Sequence, residues 1–260
     1  MIKVDRGDKS FWLDGYIHAD IGDAISWRRH DWDSIFTVVG REGAGKSTLA
    51  AQLCSYADPN FSINNIVFTP DQFKAAIQDN PKETAILWDE AITGADSAIF
   101  MTKKSVEIIQ LLTQARRKRL FIVICFPYLY KLNKYYVSRS VGLFYVYASA
   151  PDKRGKVIYY NNWEMNKIYG LMKVSAYYRV FPEALYRIKS LRSYYGTFNK
   201  NFLVDKLDYE NKKDIALKSI DKKGLSKTAR AKIIKDYFPE LTHSQIAKKL
   251  GISRQVVSSA

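Results

Sequence analysis

Along the first two thirds of the chain, short continuous apolar runs alternate with segments whose apolar residues recur every three or four positions. "SIFTVVG", "NNIVFT", "TAILWDE", "LFIVICF" and "GLFYVYA" are runs of the first kind, and their lengths and flanking turn residues predict five buried strands. Between them, "GKSTLAAQLCSYA" carries Leu49, Leu53 and Tyr56 at helical spacing. "PDQFKAAIQDN" reads as a helix opened by Pro70 and Asp71, "KKSVEIIQLLTQARRKR" as an amphipathic helix with a basic end, and "YLYKLNKYYVSR" as a further helical segment. Strands that alternate with helices and are apolar throughout predict an α/β fold, a parallel sheet covered by helices on both faces. "PDKRG" then turns into "KVIYY", an expected antiparallel partner of the fifth strand.

Outside this block the pattern changes. Residues 1–34 are mixed and aromatic-rich, and are expected to be irregular and to cap the core. After Asn162 the alternation stops, and a Tyr/Lys/Arg-rich helical region runs to about Phe198. A polar, lysine-rich connector is expected over 199–224 and a small all-α unit over 225–260, leaving 1–198 as the main domain with its accessory segment.

Composition narrows the partners. The chain has 260 residues, 47% of them hydrophobic, enough for one sizeable core and a small second one. With 41 Lys and Arg against 26 Asp and Glu the formal charge is +15, which points to a polyanion, nucleic acid first, although a solvated lysine surface has the same composition. The two cysteines, Cys54 and Cys125, lack metal-ligand spacing and read as small buried hydrophobes in a reducing cytoplasm. The start lacks an apolar signal core, and "LFIVICF", the longest apolar run, is too short to span a bilayer, so no membrane role is expected. The three histidines lie far apart, without a zinc pattern.

The chemistry begins at "VVGREGAGKSTLA". Gly40, Gly45, Lys46 and Ser47 match G-x-x-x-x-G-K-[ST] between a strand and a helix. The glycines let backbone N–H groups turn inward, so that Gly43, Ala44, Gly45, Lys46, Ser47 and Thr48 form a concave anion site at a helix N-terminus. Lys46 would bring a point charge to the β- and γ-phosphates, and the Ser47 hydroxyl would ligate Mg²⁺. Asp89, at the tip of "AILWDE", is the carboxylate that Mg²⁺ needs. Glu90, next to it, is placed to act as general base on an attacking water. An acidic strand end alone would be unremarkable; following the phosphate loop, it completes a site.

"GREGAGKS" and "AILWDE" resemble Walker A and Walker B motifs, and over roughly Trp32–Ala148 the chain resembles the P-loop NTPases with an added central strand and a catalytic glutamate. The resemblance implies a RecA/AAA-like core, ATP with Mg²⁺, and a ring of subunits. Within that division "LLTQARRKRLFIVICFPYLYKLNKYYVSRSVGLFYVY" looks most like the HerA/FtsK pumping ATPases and the Zot-like phage and plasmid proteins. Those relatives carry a polar sensor at the end of the fourth strand, where this chain has Cys125; Gln114 is a weak substitute. The choice of ATP over GTP comes from the resemblance, no guanine-reading N-K-x-D following the core. Arg116, Arg117 and Arg119, and Arg139 where AAA-type relatives have theirs, are candidate arginine fingers that would complete a neighbouring subunit's site; as helix-end charges they would also be ordinary.

"SQIAKKLGISRQVV" resembles a helix-turn-helix, with "KTARAKIIKDYF" as supporting helix. Thr242 or Ser244 can cap the first helix, Ile246, Ala247 and Leu250 face inward, and Ser253 caps the second. The resemblance places Ser253, Arg254, Gln255 and Ser258 toward bases or phosphates and Lys248 and Lys249 near the backbone; a hairpin for protein contacts is the alternative. "YYRVFPEALYRIKSLRSYYGTF" interleaves aromatics with Arg179, Arg187, Lys189 and Arg192, which would suit single-stranded nucleic acid but equally a half-buried helical face. The expected function is a DNA-associated ATPase whose Mg–ATP hydrolysis drives DNA translocation, packaging or remodelling, viral or plasmid-borne, as a homo-oligomer with a replication or packaging partner protein. The alternatives are a DnaA-like or helicase-loader ATPase and an ATP-switched DNA-binding regulator.

Overall fold

A computed structural model describes residues 1–6, 9–91, 103–150, 152–223, 242–250 and 253–258. The chain divides into two compact units, Met1–Glu210 and Asn211–Ala260.

The first unit is built on a seven-stranded sheet. Its strands are β3 (Ser34–Val39), β4 (Ile66–Val67), β5 (Ala85–Trp88), β6 (Phe121–Phe126), β7 (Gly142–Tyr147), β8 (Lys156–Asn161) and β9 (Tyr194–Thr197), in the spatial order β4-β5-β6-β3-β7-β8-β9. The pairs from β4 to β7 are parallel; β8 and β9 add antiparallel. All five strands predicted from apolar runs are present, and "KVIYY" is the antiparallel partner of β7. The two central strands, β3 and β6, are buried at every position. Successive strand residues point to opposite faces, so a sheet with helices on both sides needs an unbroken apolar run.

On one face Ile35, Ile86, Trp88, Ile122, Ile124 and Leu143 pack against α3 (Pro70–Asp79), α4 (Lys103–Arg117) and α6 (Asn162–Val174). The other face carries Phe36, whose ring meets Phe121 and Phe144 at 5.4 and 5.7 Å, and is covered by α1 (Gly15–Arg28) and α2 (Lys46–Ala57). α3 starts as predicted: Pro70 occupies its first turn, and Thr69 and Gln72 exchange side-chain-to-backbone hydrogen bonds as a capping box. The short helices α5 (Lys134–Arg139), α7 (Ala176–Val180) and α8 (Pro182–Tyr186) fill the connections.

Two expectations are corrected. Residues 1–34 are not irregular: β1 (Ile2–Arg6) and β2 (Lys9–Leu13) form an antiparallel hairpin, followed by α1. Asp14 caps α1 by accepting from the Tyr16 amide at 3.0 Å, and Ile17, Ile21 and Ala24 form its buried stripe. The hairpin was obscured because only alternate residues, Val4, Phe11 and Leu13, are buried, and charges separate them. The region up to Phe198 is not helical throughout either, since β9 closes the sheet edge on β8. In its aromatic stripe Leu185 and Tyr186 are core, whereas Tyr177 and Phe181 are exposed. The stretch expected as a connector holds a helix, α9 (Lys206–Lys223).

In the second unit, α10 (His243–Leu250) and α11 (Arg254–Ser258) are described, with Ile246, Ala247 and Val257 buried. Thr242 caps α10, its hydroxyl accepting from the Gln245 amide at 3.3 Å while Gln245 Oε1 accepts from the Thr242 amide at 2.8 Å. The proposed supporting helix, 227–238, and the turn at Gly251 and Ile252 lie outside the described residues, as do the side chains of Lys248 and Lys249. Among the described residues, no helix is long and apolar enough to cross a membrane.

Candidate nucleotide site

Parallel strands all point one way, so the loops at their C-terminal ends gather along one edge of the sheet. The loop from Gly40 to Gly45 leaves β3 at that edge and turns into α2. Gly40, Gly43 and Gly45 all have positive φ (150°, 72° and 106°). At Gly45 this left-handed residue is itself the N-cap of α2. At Gly40 space adds to the requirement: a Cβ would lie 2.2 Å from the Val146 carbonyl oxygen of β7. The loop is therefore seated on the neighbouring strand, and α2 opens behind it with its first amides at the concave side. Ala44 is buried, while Gly45, Lys46, Ser47 and Thr48 are partly exposed. Lys46 arches back over the loop, its Nζ donating to the carbonyls of Gly40 (2.9 Å) and Arg41 (3.1 Å).

β5 ends at the same edge, two strands away, and brings Asp89 in beneath the loop. Asp89 is 2% exposed. One of its oxygens accepts from the Glu90 amide at 3.0 Å. The other accepts from the hydroxyl of Tyr209, whose oxygen lies 3.4 Å from Ser47 Oγ. The Ser47 hydroxyl and the Asp89 carboxylate thus converge on one oxygen atom. Two hard oxygen donors facing a position the size of a water suit Mg²⁺, which keeps several waters and takes few protein ligands. Glu90 follows at the strand end with φ of 53°. A bulky residue held left-handed costs about 1–2 kcal/mol, strain of the kind that accumulates at functional sites.

Tyr209 is the residue that sequence reasoning missed. It belongs to the first turn of α9, is 5% exposed, and packs edge-on against Phe68 (5.4 Å) and Phe202 (5.0 Å). Burial and the adjacent Asp89 carboxylate push its hydroxyl pKa far above the ordinary tyrosine value, so it is a neutral donor. The segment before it is fastened to α2 by Gln52, fully buried, whose Nε2 donates to Asn199 O, Asn199 Oδ1 and Asn201 O at 2.9, 2.9 and 2.8 Å. Only a tyrosine among 18, in a polar segment, marks this in the sequence.

Beside the loop tip lies an open cleft of about 400 Å³, lined by Arg41, Tyr147, Arg154, Glu183 and Arg187 among others. Arg41 and Glu183 form a two-pronged ion pair across it.

The candidate arginine fingers lie at the opposite edge, where the strands begin. Arg116, Arg117 and Arg139 line one open cleft with Asp31 and Thr113. Arg116 donates to Asp31 O at 3.2 Å and lies over the exposed Trp32 ring at 5.4 Å; Arg139 is ion-paired with Asp33. None of the three reaches this chain's own phosphate loop. Gln114 is exposed one turn before the end of α4, at that same far edge, which removes it as a sensor for this site. Cys125 does lie at the end of β6, but it is buried, and burial raises its thiol pKa well above normal.

No protein-family model matches the chain, and no curated protein matches it. Among solved structures it is similar to the genome packaging NTPase B204 from Sulfolobus turreted icosahedral virus 2. In complex with ATP-gammaS that protein matches at 12% identity over 51% of this chain and 94% of its own, with a TM-score of 0.36. Its complex with AMPPCP gives 15% identity, the same coverage and a TM-score of 0.36. The N-terminal domain of zonular occludens toxin from Neisseria meningitidis gives 15% identity over 50% of this chain and 84% of its own, with a TM-score of 0.33.

In the second unit, Ser253, Arg254, Gln255 and Ser258 are all exposed, with Val257 turned to the opposite, buried side. Among its described side chains, the five-residue α11 presents a polar outer face, with Val257 buried.

Proposed function

We propose that the chain is a Mg–ATP hydrolase whose turnover drives movement, packaging or remodelling of DNA. The observation that carries the first half is the convergence of Ser47 and Asp89 on a single hydroxyl oxygen directly below a glycine loop at a helix N-terminus. The loop amides and Lys46 would hold the triphosphate, Lys46 leaving the carbonyls it now spans. The nucleoside end would extend into the cleft between the loop tip and β7. Ser47 and Asp89 would hold Mg²⁺, which when bound draws charge from the phosphate oxygens. Glu90 would take the proton of the attacking water. Arg116, Arg117 and Arg139, at the far edge of the sheet, would act on the site of a second copy, which implies a homo-oligomeric ring.

The DNA role is supported by the +15 charge and by the exposed Arg254 and Gln255, side-chain types that match guanine and adenine edges. A helix-turn-helix over α10 and α11 would supply that contact. The test is ATP hydrolysis without DNA, with single-stranded DNA and with duplex DNA, for wild type, Lys46→Ala and Glu90→Gln. Lys46→Ala should abolish nucleotide binding. Glu90→Gln should bind but turn over at least a hundredfold more slowly, a typical loss for a general base. DNA should stimulate the wild type. Absence of nucleotide binding would overturn the whole reading, and slow turnover indifferent to DNA would replace the motor with an ATP-switched DNA-binding regulator.

A further inference from the structure

We propose that Tyr209 competes with the metal of the nucleotide, so that docking of the first turn of α9 and binding of Mg–nucleotide exclude one another. The inference rests on the nucleotide-site reading above. Its basis is the position of one atom. The Tyr209 hydroxyl hydrogen-bonds the Asp89 carboxylate and lies 3.4 Å from Ser47 Oγ. A divalent ion held by those two groups, directly or through its waters, needs the volume the hydroxyl fills. The hydroxyl cannot turn aside while the helix stays. Its ring is wedged between Phe68 and Phe202, and its backbone is fixed by the bond from the Tyr209 amide to Asp205 O at 3.0 Å. Clearing the site therefore means lifting the turn itself.

The docked turn has a definite anchor. Gln52 holds Asn199 and Asn201 onto the phosphate-loop helix, Phe198 lies over Gly45, and Asp205 caps the turn through the Asp208 amide at 2.9 Å. The hinge consequently falls between Asn201 and Asp205, in the stretch ahead of α9. Tyr209 holds the turn in its docked form and sets how tightly Mg–nucleotide binds.

The experiment measures binding of Mg–ADP and of a Mg-loaded non-hydrolysable ATP analogue, with amide hydrogen exchange over residues 206–210. The wild type should bind, and its 206–210 amides should exchange faster once the Mg-loaded analogue is added. Tyr209→Phe keeps the ring and removes the hydroxyl, leaving Asp89 without that donor. It should bind Mg–nucleotide roughly tenfold more tightly, the usual weight of a hydrogen bond to a charged group. The gain should shrink in EDTA, where no metal contests the position. Asp205→Ala, which loosens the turn without touching the site, should shift affinity the same way by a smaller factor. Wild-type binding with Tyr209→Phe unchanged or weaker, or with 206–210 exchange unaltered by ligand, overturns the competition and leaves the nucleotide site standing. Failure of the wild type to bind any nucleotide overturns both.

Discussion

Alanine at Gly40 and alanine at Gly43 are the same substitution in the same loop, and they differ in backbone conformation and in what the added methyl meets. Both positions have positive φ: alanine at Gly43, near the left-handed well, carries a backbone penalty of about 1 kcal/mol, and at Gly40, whose φ of 150° lies outside that well, about 1–3 kcal/mol. At Gly43 the added methyl meets nothing within 4 Å, and the penalty ends there. At Gly40 it would lie 2.2 Å from the Val146 carbonyl oxygen, whereas carbon and oxygen in contact stay more than 3 Å apart. About 1 Å of separation must come from moving the loop off β7, or β7 off β3. Overpacking of that kind costs a further ~1–3 kcal/mol. Gly40→Ala should therefore be less stable than Gly43→Ala by at least about 1–3 kcal/mol. All five tryptophans lie in the first unit, so urea unfolding followed by tryptophan fluorescence reports this unit alone. With a slope of about 3 kcal/mol per molar urea, the two midpoints should differ by at least ~0.3–1 M. Gly40→Ala should also weaken nucleotide binding, because the loop amides move with it. Equal midpoints for the two variants would refute the claim that the loop is seated on β7.

Other substitutions probe separate parts of the argument. Gln52→Glu puts an acceptor where three oxygens now accept; it should cost about 2–4 kcal/mol at neutral pH and recover part of that on acidification, read by the same urea titration. Asp20 has its pKa raised, by burial first and by Asp23 besides, against the bond it accepts from Tyr194 at 2.7 Å. Its protonated form is thus favoured by folding, a contribution present below the ordinary carboxylate pKa and lost as pH rises through the raised value. Asp20→Asn should flatten that part of the stability profile; an unchanged profile would refute the assignment. Arg139→Ala should leave ATP binding intact and abolish hydrolysis, measured side by side; normal turnover would remove it as a finger and leave its pairing with Asp33 as its role. Arg254→Ala and Gln255→Ala should each weaken duplex binding by about 1–3 kcal/mol at the preferred sequence, seen in salt-controlled titrations.

The geometry of the glycine loop was legible where its signals are local. A buried run, a turn that only glycine fits and a helix follow one another within 24 residues, Ser34–Ala57, and each is dictated by its own side chains. Asp89 and Glu90 could be placed because a carboxylate ending a buried strand has one edge of the sheet to go to. The five apolar runs likewise specify parallel strands, since only a sheet covered on both faces buries every residue of "FIVICF".

What tertiary structure alone decided depends on contacts between distant residues. The strand order, with β3 between β6 and β7, puts Val146 against Gly40; the loop motif asks for glycine there, and this contact supplies a reason that the motif does not reveal. The hairpin of β1 and β2 and the edge strand β9 have mixed sequences, because only one side of each finds a core to face. The arginines at the ends of α4 and α5 were expected to serve a neighbouring copy, and strand direction places them at the edge away from this chain's own glycine loop. Tyr209 is separated from Ser47 by 162 residues and from Asp89 by 120, in a segment whose composition is that of a solvated linker. Sequence determines which residues can cradle a phosphate, because that cradle is built from neighbours in the chain. Which side chain stands in front of the cradle is decided by packing, because the atoms that hold it there come from every part of the first unit.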